Sequence, residues 1–160
     1  VNPTKTIVIG SANDNWITYL EKLKLPEDDR NIIVTVHHYF PHEFTHQGAE
    51  WVSWDDSSKW LGTTWTGTKE EKKAIAEVFD IGAAWSGQHN RPINLGEFGA
   101  YEKADMDSRA RWTKCMADSA VERGWSFHYW EFCAQGFGLY SDAAKEWKKP
   151  LLDALIPPKK

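Results

Sequence analysis

Short apolar runs rich in β-branched residues alternate along this chain with segments of helical periodicity. The runs predict strands over 7–9, 32–36, 93–95 and 125–130. The intervening periodicity predicts helices over 17–23, 69–87, 105–123 and 142–149. Such alternation is typical of βαβ units in a parallel sheet whose strands are buried on both faces. The sequence therefore predicts an α/β fold of four βα units, with residues 1–160 as a single domain.

Capping residues mark where these predicted helices begin and end. Thr68 and Glu71 have the spacing of a capping box before the second helix, and Asp105 is a capping residue for the third. Gly124 is a stop signal after the third helix. Pro150 predicts the end of the fourth helix, because proline cannot continue a helical hydrogen-bond ladder.

Charge and hydropathy exclude some classes of partner. The 19 basic and 23 acidic residues leave a formal net charge of −4, which disfavours a nucleic-acid partner. The sequence shows no run of apolar residues long enough for a membrane span. The chain begins at Val1 without the charged and apolar segments of an export signal, so none is expected in it.

Polar side chains collect where the predicted strands end. Asn13 follows the first strand, His37 and Tyr39 end the second, Glu97 ends the third and Trp130 ends the fourth. The carboxyl ends of parallel strands meet at one rim, which is where α/β folds bind ligands. Each residue also has a structural interpretation: a salt-bridged Glu97, a packed His37 and Tyr39, and a buried Trp130.

Two further features bear on this rim. Glycines on both sides of Glu97, at Gly96 and Gly99, let a substrate or a neighbouring backbone approach closely. The connection over 37–67 is long enough to be functional or disordered, but it carries four of the ten tryptophans, which argues for order. We therefore expect this connection to contribute to the rim.

Four segments together resemble the endo-β-1,4-glucanases of glycoside hydrolase family 5. They are VHHYFP at 36–41, FTHQGAEW at 44–51, LGEFGAY at 95–101 and YWEF at 129–132. The resemblance implies a secreted, retaining glycosidase that acts on β-1,4-glucan with no metal or organic cofactor. It implies Glu97 as the nucleophile, with His37 and Tyr39 as its polar surroundings. It implies substrate contacts for the following residues: Trp130, His46, Trp51 and, more loosely matched, Asn13 and Trp16.

The resemblance covers only part of the family's (β/α)8 barrel. The family's acid/base glutamate lies in an Asn-Glu-Pro motif, which is absent from this chain. The first strand resembles the family's fifth, and a whole barrel takes roughly 250 residues. We therefore expect a half-barrel made of strands five to eight, completed by a homodimer or by a separate N-terminal half. Glu131, Glu43 and Glu50 are weaker candidates for a substitute acid.

Two alternatives remain open from the sequence. His38, His42 and His128 stand where the family more often has aromatic or small apolar residues, and His37 and His128 are predicted to face one another inside the barrel. These histidines raise the hypothesis of a Zn²⁺ site. The alternative interpretation is that His128 is hydrogen-bonded in the barrel interior. The second alternative is a non-catalytic half-barrel, natural or engineered, that self-associates or binds glucan weakly.

Overall fold

The computed structural model describes residues 4–134 and 136–156 and contains one parallel four-stranded sheet. The strands lie in the order β1 to β4, with the bounds β1 Ile7–Gly10, β2 Ile32–His37, β3 Ile93–Glu97 and β4 Ser126–Phe127. Each neighbouring pair is parallel. The predicted fold class is therefore confirmed, although β4 is shorter than the run over 125–130 from which it was predicted.

Helices and one small hairpin connect the strands. The helical segments are α1 Ala12–Asn15, α2 His42–Thr45, α3 Lys69–His89, α4 Met106–Glu122 and α5 Lys149–Leu155. The short α1 is a turn rather than a regular helix, because Asn13, Asp14 and Asn15 have left-handed φ angles. Two 3₁₀ helices span Ile17–Lys22 and Ser57–Trp60, and β5 Tyr140–Ser141 pairs with β6 Glu146–Trp147. The 3₁₀ helix at Ile17 occupies the place of the first predicted helix. No helix in the described ranges is long and apolar enough to cross a membrane.

The two long helices begin where the capping residues predict. The Thr68 side chain accepts from the Glu71 backbone N–H, and the Glu71 carboxylate accepts from the Thr68 backbone N–H. Asp105 accepts from the Ser108 backbone N–H at 2.8 Å. These contacts satisfy backbone donors that a helix leaves free in its first turn. Past the end of α4, Gly124 adopts a φ of +70°, as a C-terminal stop requires.

The helix predicted over 142–149 is wrong. This segment forms the turn and the second strand of the β5–β6 hairpin, in which the Tyr140 and Trp147 rings pack edge to face with centroids 5.4 Å apart. Pro150 lies in the first turn of α5 and does not end a helix. The first turn suits proline because its missing N–H has no partner there in any case.

The hydrophobic core lies between the sheet and the helices. Along β2, Ile32, Val34 and Val36 are buried, and the residues between them face the other side of the sheet. Trp85 of α3 and Trp112 of α4 are buried in the same core. The period of two in β2 therefore separates a helix-covered face from a face that belongs to the barrel interior.

The interior face and the β1 edge are open to solvent. Ile7, Val8 and Ile9 are 48%, 61% and 37% exposed, so the prediction that this strand is buried on both faces is wrong for the chain alone. Thr35 and Asn94 line an open hollow of about 310 Å³ on the interior face. An apolar edge strand and an uncovered apolar face are features that often mark interaction surfaces in proteins.

His38 points away from this interior and into the helix-covered core, as strand alternation predicts. It is 5% exposed, and its ring lies 5.7 Å from Phe79 of α3. Its Nε2 has no hydrogen-bond partner among the described residues. Burial, helped by nearby His42, lowers the pKa of His38 to about 4.

We expect the His38→Phe change to reduce the loss of stability in mild acid. An unfolded histidine takes up a proton near pH 6.5, whereas His38 in the folded chain does so only near pH 4. The free energy of unfolding therefore falls as pH drops from about 6.5 to about 4, and removal of His38 should cut that fall by about 2–3 kcal/mol. Urea unfolding at pH 7.5 and 4.5 measures it. The exposed His89→Gln variant is the control, and an unchanged pH dependence in His38→Phe would contradict the expectation.

Candidate active site

Glu97 lies at the carboxyl end of β3, within reach of two side chains from the end of β2. The Tyr39 hydroxyl donates to Glu97 Oε2 at 3.0 Å, and His37 Nδ1 lies 3.4 Å from the same oxygen. His37 is the register partner of Glu97, at a shift in register that follows Val36. The structure therefore brings together the three residues predicted to be catalytic.

Burial governs the proton affinities of this group. It lowers the pKa of His37, against the opposing effects of Glu97 and Asp14, so His37 is neutral at neutral pH. Burial and the negative charge of Glu97 together raise the pKa of Tyr39, which keeps its hydroxyl protonated. Tyr39 is therefore a hydrogen-bond donor to Glu97 throughout the physiological range.

The glycines beside Glu97 make room for neighbouring groups, as the sequence predicts. A Cβ on Gly99 would collide with the backbone carbonyl of Trp130, which follows β4. A Cβ on Gly96 would collide with Thr35 Oγ1 and crowd the His37 ring. Gly99 thus admits the neighbouring backbone, and Gly96 leaves space for the ring that faces Glu97.

Aromatic rings packed around Phe137 form one wall beside Glu97. The Phe137 ring lies 5.7 Å from His46, 6.0 Å from Trp51, 6.1 Å from Tyr39 and 5.6 Å from Tyr101. Burial, followed by the charge of His42, lowers the pKa of His46 to about 4. Trp51 is exposed although it touches these rings, so its face is available to a ligand.

The chain matches a model of the family described as cellulase (glycosyl hydrolase family 5) over residues 1–136. This chain belongs to glycosyl hydrolase family 5. Its sheet corresponds to half of the (β/α)8 barrel in solved members of that family. Endoglucanase H of Acetivibrio thermocellus is 34% identical over 162 residues, which cover 98% of this chain and 16% of the relative.

Solved family 5 structures are also covered only in part by this chain. Thermotoga maritima Cel5A, solved with cellobiose and with mannotriose, is 50% identical with a TM-score of 0.89, over 94% of this chain and 48% of that protein. A hyperthermophilic endo-β-1,4-glucanase solved with substrate is 46% identical with a TM-score of 0.91, over 98% and 49% of the two chains. The family 5 chain described here therefore spans about half the length of these structures.

The other predicted ligand contacts of this family 5 chain lie on two sides of the rim. Trp16 packs against Phe40 at 5.2 Å and pairs with His37 through an isolated backbone bridge. Asn13 is exposed, and it is Asn15, two residues later, whose Nδ2 lies 3.4 Å from His37 Nε2. The substrate-binding role of Asn13 and Trp16 stays a prediction.

Trp130 and Glu131 follow β4 and close the rim next to Gly99. The Trp130 N–H donates to the Phe98 carbonyl at 2.9 Å, and the Trp130 side chain is half-buried. Glu131 Oε2 accepts from the backbone N–H groups of Cys133 and Ala134. This carboxylate is therefore hydrogen-bonded to the backbone of its own loop.

Among the residues that the structure describes, no three His, Cys, Asp or Glu side chains are arranged to hold a metal ion. His128 and His37 both line the interior hollow, and His128 Nδ1 lies 3.3 Å from Asn94 Oδ1. The interior His128 thus has Asn94 as a hydrogen-bond partner, and the Zn²⁺ hypothesis stays a prediction.

Sequence reasoning missed Tyr101 and Phe137 as parts of this site, and among the polar residues Asn13, Asp14 and Asn15 that follow the first strand it selected Asn13 and not Asn15. Tyr101 ends the LGEFGAY segment, so its place in the motif was a usable signal. Phe137 lies in an irregular segment after β4, where no periodicity indicates which way a side chain points. The signal for Asn15 was its position directly before Trp16, near the end of β1.

Proposed function

We propose that this chain supplies the nucleophile-bearing half of a retaining endo-β-1,4-glucanase. The observation that carries the proposal is the Glu97 carboxylate with Tyr39 and His37 at one of its oxygens, at the rim of a family 5 fold. In this reaction Glu97 attacks the anomeric carbon while the glycosidic C–O bond breaks, and an acid/base carboxyl group protonates the departing sugar oxygen. Water, deprotonated by the same acid/base group, then attacks the glycosyl-enzyme and releases Glu97. Retention of configuration follows from the two successive displacements.

The second carboxyl group of this reaction is assigned to another segment of polypeptide. Retaining enzymes hold their two carboxyl groups about 5 Å apart, and the family's Asn-Glu-Pro motif is absent from this sequence. We propose that an N-terminal half-barrel covers the interior face and the β1 edge, and brings the acid/base glutamate opposite Glu97. The exposed Ile7, Val8 and Ile9 support such a covering surface.

The proposed substrate is a β-1,4-linked glucan. Flat apolar rings beside polar groups suit sugar rings, which present C–H faces and hydroxyl edges. The exposed Trp51 and the half-buried Tyr101 offer such rings near His46, and the buried Phe137 ring packs behind them. The Cel5A relative was solved with both cellobiose and mannotriose, so glucan and mannan are both to be compared as substrates. A polymeric substrate implies action outside the cell.

The proposal can be tested by completing the barrel and measuring hydrolysis. We expect a fusion of the N-terminal half of Thermotoga maritima Cel5A to this chain to release reducing ends from cellotetraose, and the isolated chain to release none. Proton NMR during hydrolysis should show the β-anomer of the new reducing end first, because the anomeric configuration is retained. A folded fusion that leaves cellotetraose and mannotetraose intact, or that yields the α-anomer first, would overturn the proposal.

The exposed interior face also favours one competing function, a half-barrel that pairs with its own copy. The two functions predict different particle masses and different binding partners for the isolated chain. Light scattering of the isolated chain, with and without a separate Cel5A N-terminal half, distinguishes them. A stable homodimer that does not bind the N-terminal half would favour self-association as the function.

A further inference from the structure

We propose that Asn15 is a positioning residue that fixes which nitrogen of His37 carries the proton. Its amide lies between the β1 backbone and the His37 ring, on the side of the ring that faces away from Glu97. This inference rests on the proposed function for its catalytic meaning, but the proton position itself is a property of the chain alone.

The place of Asn15 is set by the backbone around it. Asn15 has a φ of +62°, a left-handed conformation that asparagine tolerates better than most residues. Its Oδ1 occupies the space that a Cβ on Gly10 would take, so the carbonyl end of the amide rests against β1. The Nδ2 end is thereby directed at His37 Nε2, at 3.4 Å.

The hydrogen-bond chemistry allows only one self-consistent arrangement of a neutral His37. An ionised carboxylate only accepts, so Nδ1 must carry a hydrogen to donate toward Glu97 Oε2. Neutral imidazole has one N–H, so Nε2 is then an acceptor and requires a donor. The Asn15 Nδ2 amide is that donor, whereas the opposite amide orientation would place Oδ1 against a bare nitrogen.

This arrangement leaves one Glu97 oxygen for chemistry. Tyr39 and His37 both direct a hydrogen at Oε2, so two donors orient the carboxylate from one side. Oε1 is then the oxygen that attacks the anomeric carbon. Without the amide of Asn15, neutral His37 would also populate the Nε2–H form, whose bare Nδ1 repels the carboxylate.

The test compares asparagine, glycine and aspartate at position 15. Glycine tolerates the positive φ and removes the amide, and aspartate replaces the donor by an acceptor of nearly the same shape. Long-range ¹⁵N–¹H NMR of the labelled chain reports which ring nitrogen is protonated. We expect Nδ1–H in the wild-type chain and a mixture of both forms in Asn15→Gly. In Asn15→Asp we expect the pKa of His37 to rise by at least about one unit, since aspartate adds to the charges of Glu97 and Asp14.

Asn13 provides the matched control. It has a φ of +58° in the same turn but is exposed, so Asn13→Gly and Asn13→Asp make the same chemical changes away from the ring. We expect both to leave the His37 tautomer unchanged. A wild-type His37 with its proton on Nε2 would overturn the inference, as would an Asn15→Asp variant that titrates like the wild type.

Turnover gives a second readout once the barrel is complete. In the fusion, we expect Asn15→Gly to lower kcat about tenfold with little change in KM, since it disturbs the nucleophile and not the binding of sugar. If the fusion is inactive but the NMR result is as expected, the proposed function fails while the role of Asn15 stands. If the fusion is active and the tautomer does not depend on Asn15, the inference fails alone.

Discussion

Replacing Glu97 by glutamine in the completed barrel should lower cellotetraose hydrolysis by roughly 10⁴-fold or more. Glutamine has nearly the same shape and can still meet the Tyr39 hydroxyl, but its amide oxygen cannot form the glycosyl-enzyme. Initial rates of reducing-end release, measured beside cellotetraose binding by calorimetry, separate loss of chemistry from loss of binding. We expect binding to stay within a few-fold of the wild-type fusion.

Two further variants make this prediction specific. Glu77→Gln removes an exposed carboxylate on α3 that pairs with Lys73, and we expect it to keep the full rate. Glu97→Gly opens space for azide, which should attack the anomeric carbon of an activated β-glucoside and displace its leaving group. The product should then be the α-glycosyl azide, because only one displacement takes place. Full activity in Glu97→Gln would remove Glu97 from the role of nucleophile.

The largest change in stability is expected from Trp112→Ala. Trp112 is fully buried between Phe44 and Phe98, and its indole N–H donates to the Phe40 carbonyl at 3.3 Å. Truncation leaves a cavity and an unpaired carbonyl, which should lower the free energy of unfolding by about 3–5 kcal/mol. Since whole domains are stable by only about 5–15 kcal/mol, we expect the variant to unfold at much lower urea concentration.

Trp54→Ala is the control for this prediction. Trp54 is 61% exposed, so the same truncation should cost less than about 1 kcal/mol. Trp112→Phe should fall between the two, because it keeps one six-membered ring and loses the five-membered ring of the indole with its N–H donor. Equal urea midpoints for Trp112→Ala and Trp54→Ala would show that the α4 contact with the sheet contributes little to stability.

Local signals in the sequence were enough to predict the long helices and the places of the four strands along the chain. Thr68, Glu71 and Asp105 act within one helical turn, so their capping contacts depend on no distant part of the chain. The helix prediction over 142–149 failed because the structure of this segment depends on contacts with residues outside it. Its hairpin is held by rings of Phe132, Tyr140 and Trp147, and the first two of these lie outside the segment.

The β1 strand shows a different limit. Its composition predicts burial on both faces, but burial depends on what the rest of a barrel supplies, and Val8 is 61% exposed in this chain. Within the site, the predicted Glu97, His37 and Tyr39 come together because strand ends converge at one rim. The role of Asn15 depends on a left-handed turn that no sequence period indicates.

The groups around Glu97 lie at the ends of neighbouring strands of one chain, so activity can be used to measure the association of this chain with a second polypeptide. Glu97, His37, Tyr39 and Asn15 all belong to one polypeptide, and their contacts need no atom from another. If a second polypeptide supplies the acid/base glutamate, only associated pairs cleave the substrate. The cleavage rate is then proportional to the number of associated pairs. A soluble chromogenic glucoside would then turn this chain and its complement into a split reporter, whose signal follows the affinity of any two proteins fused to the halves.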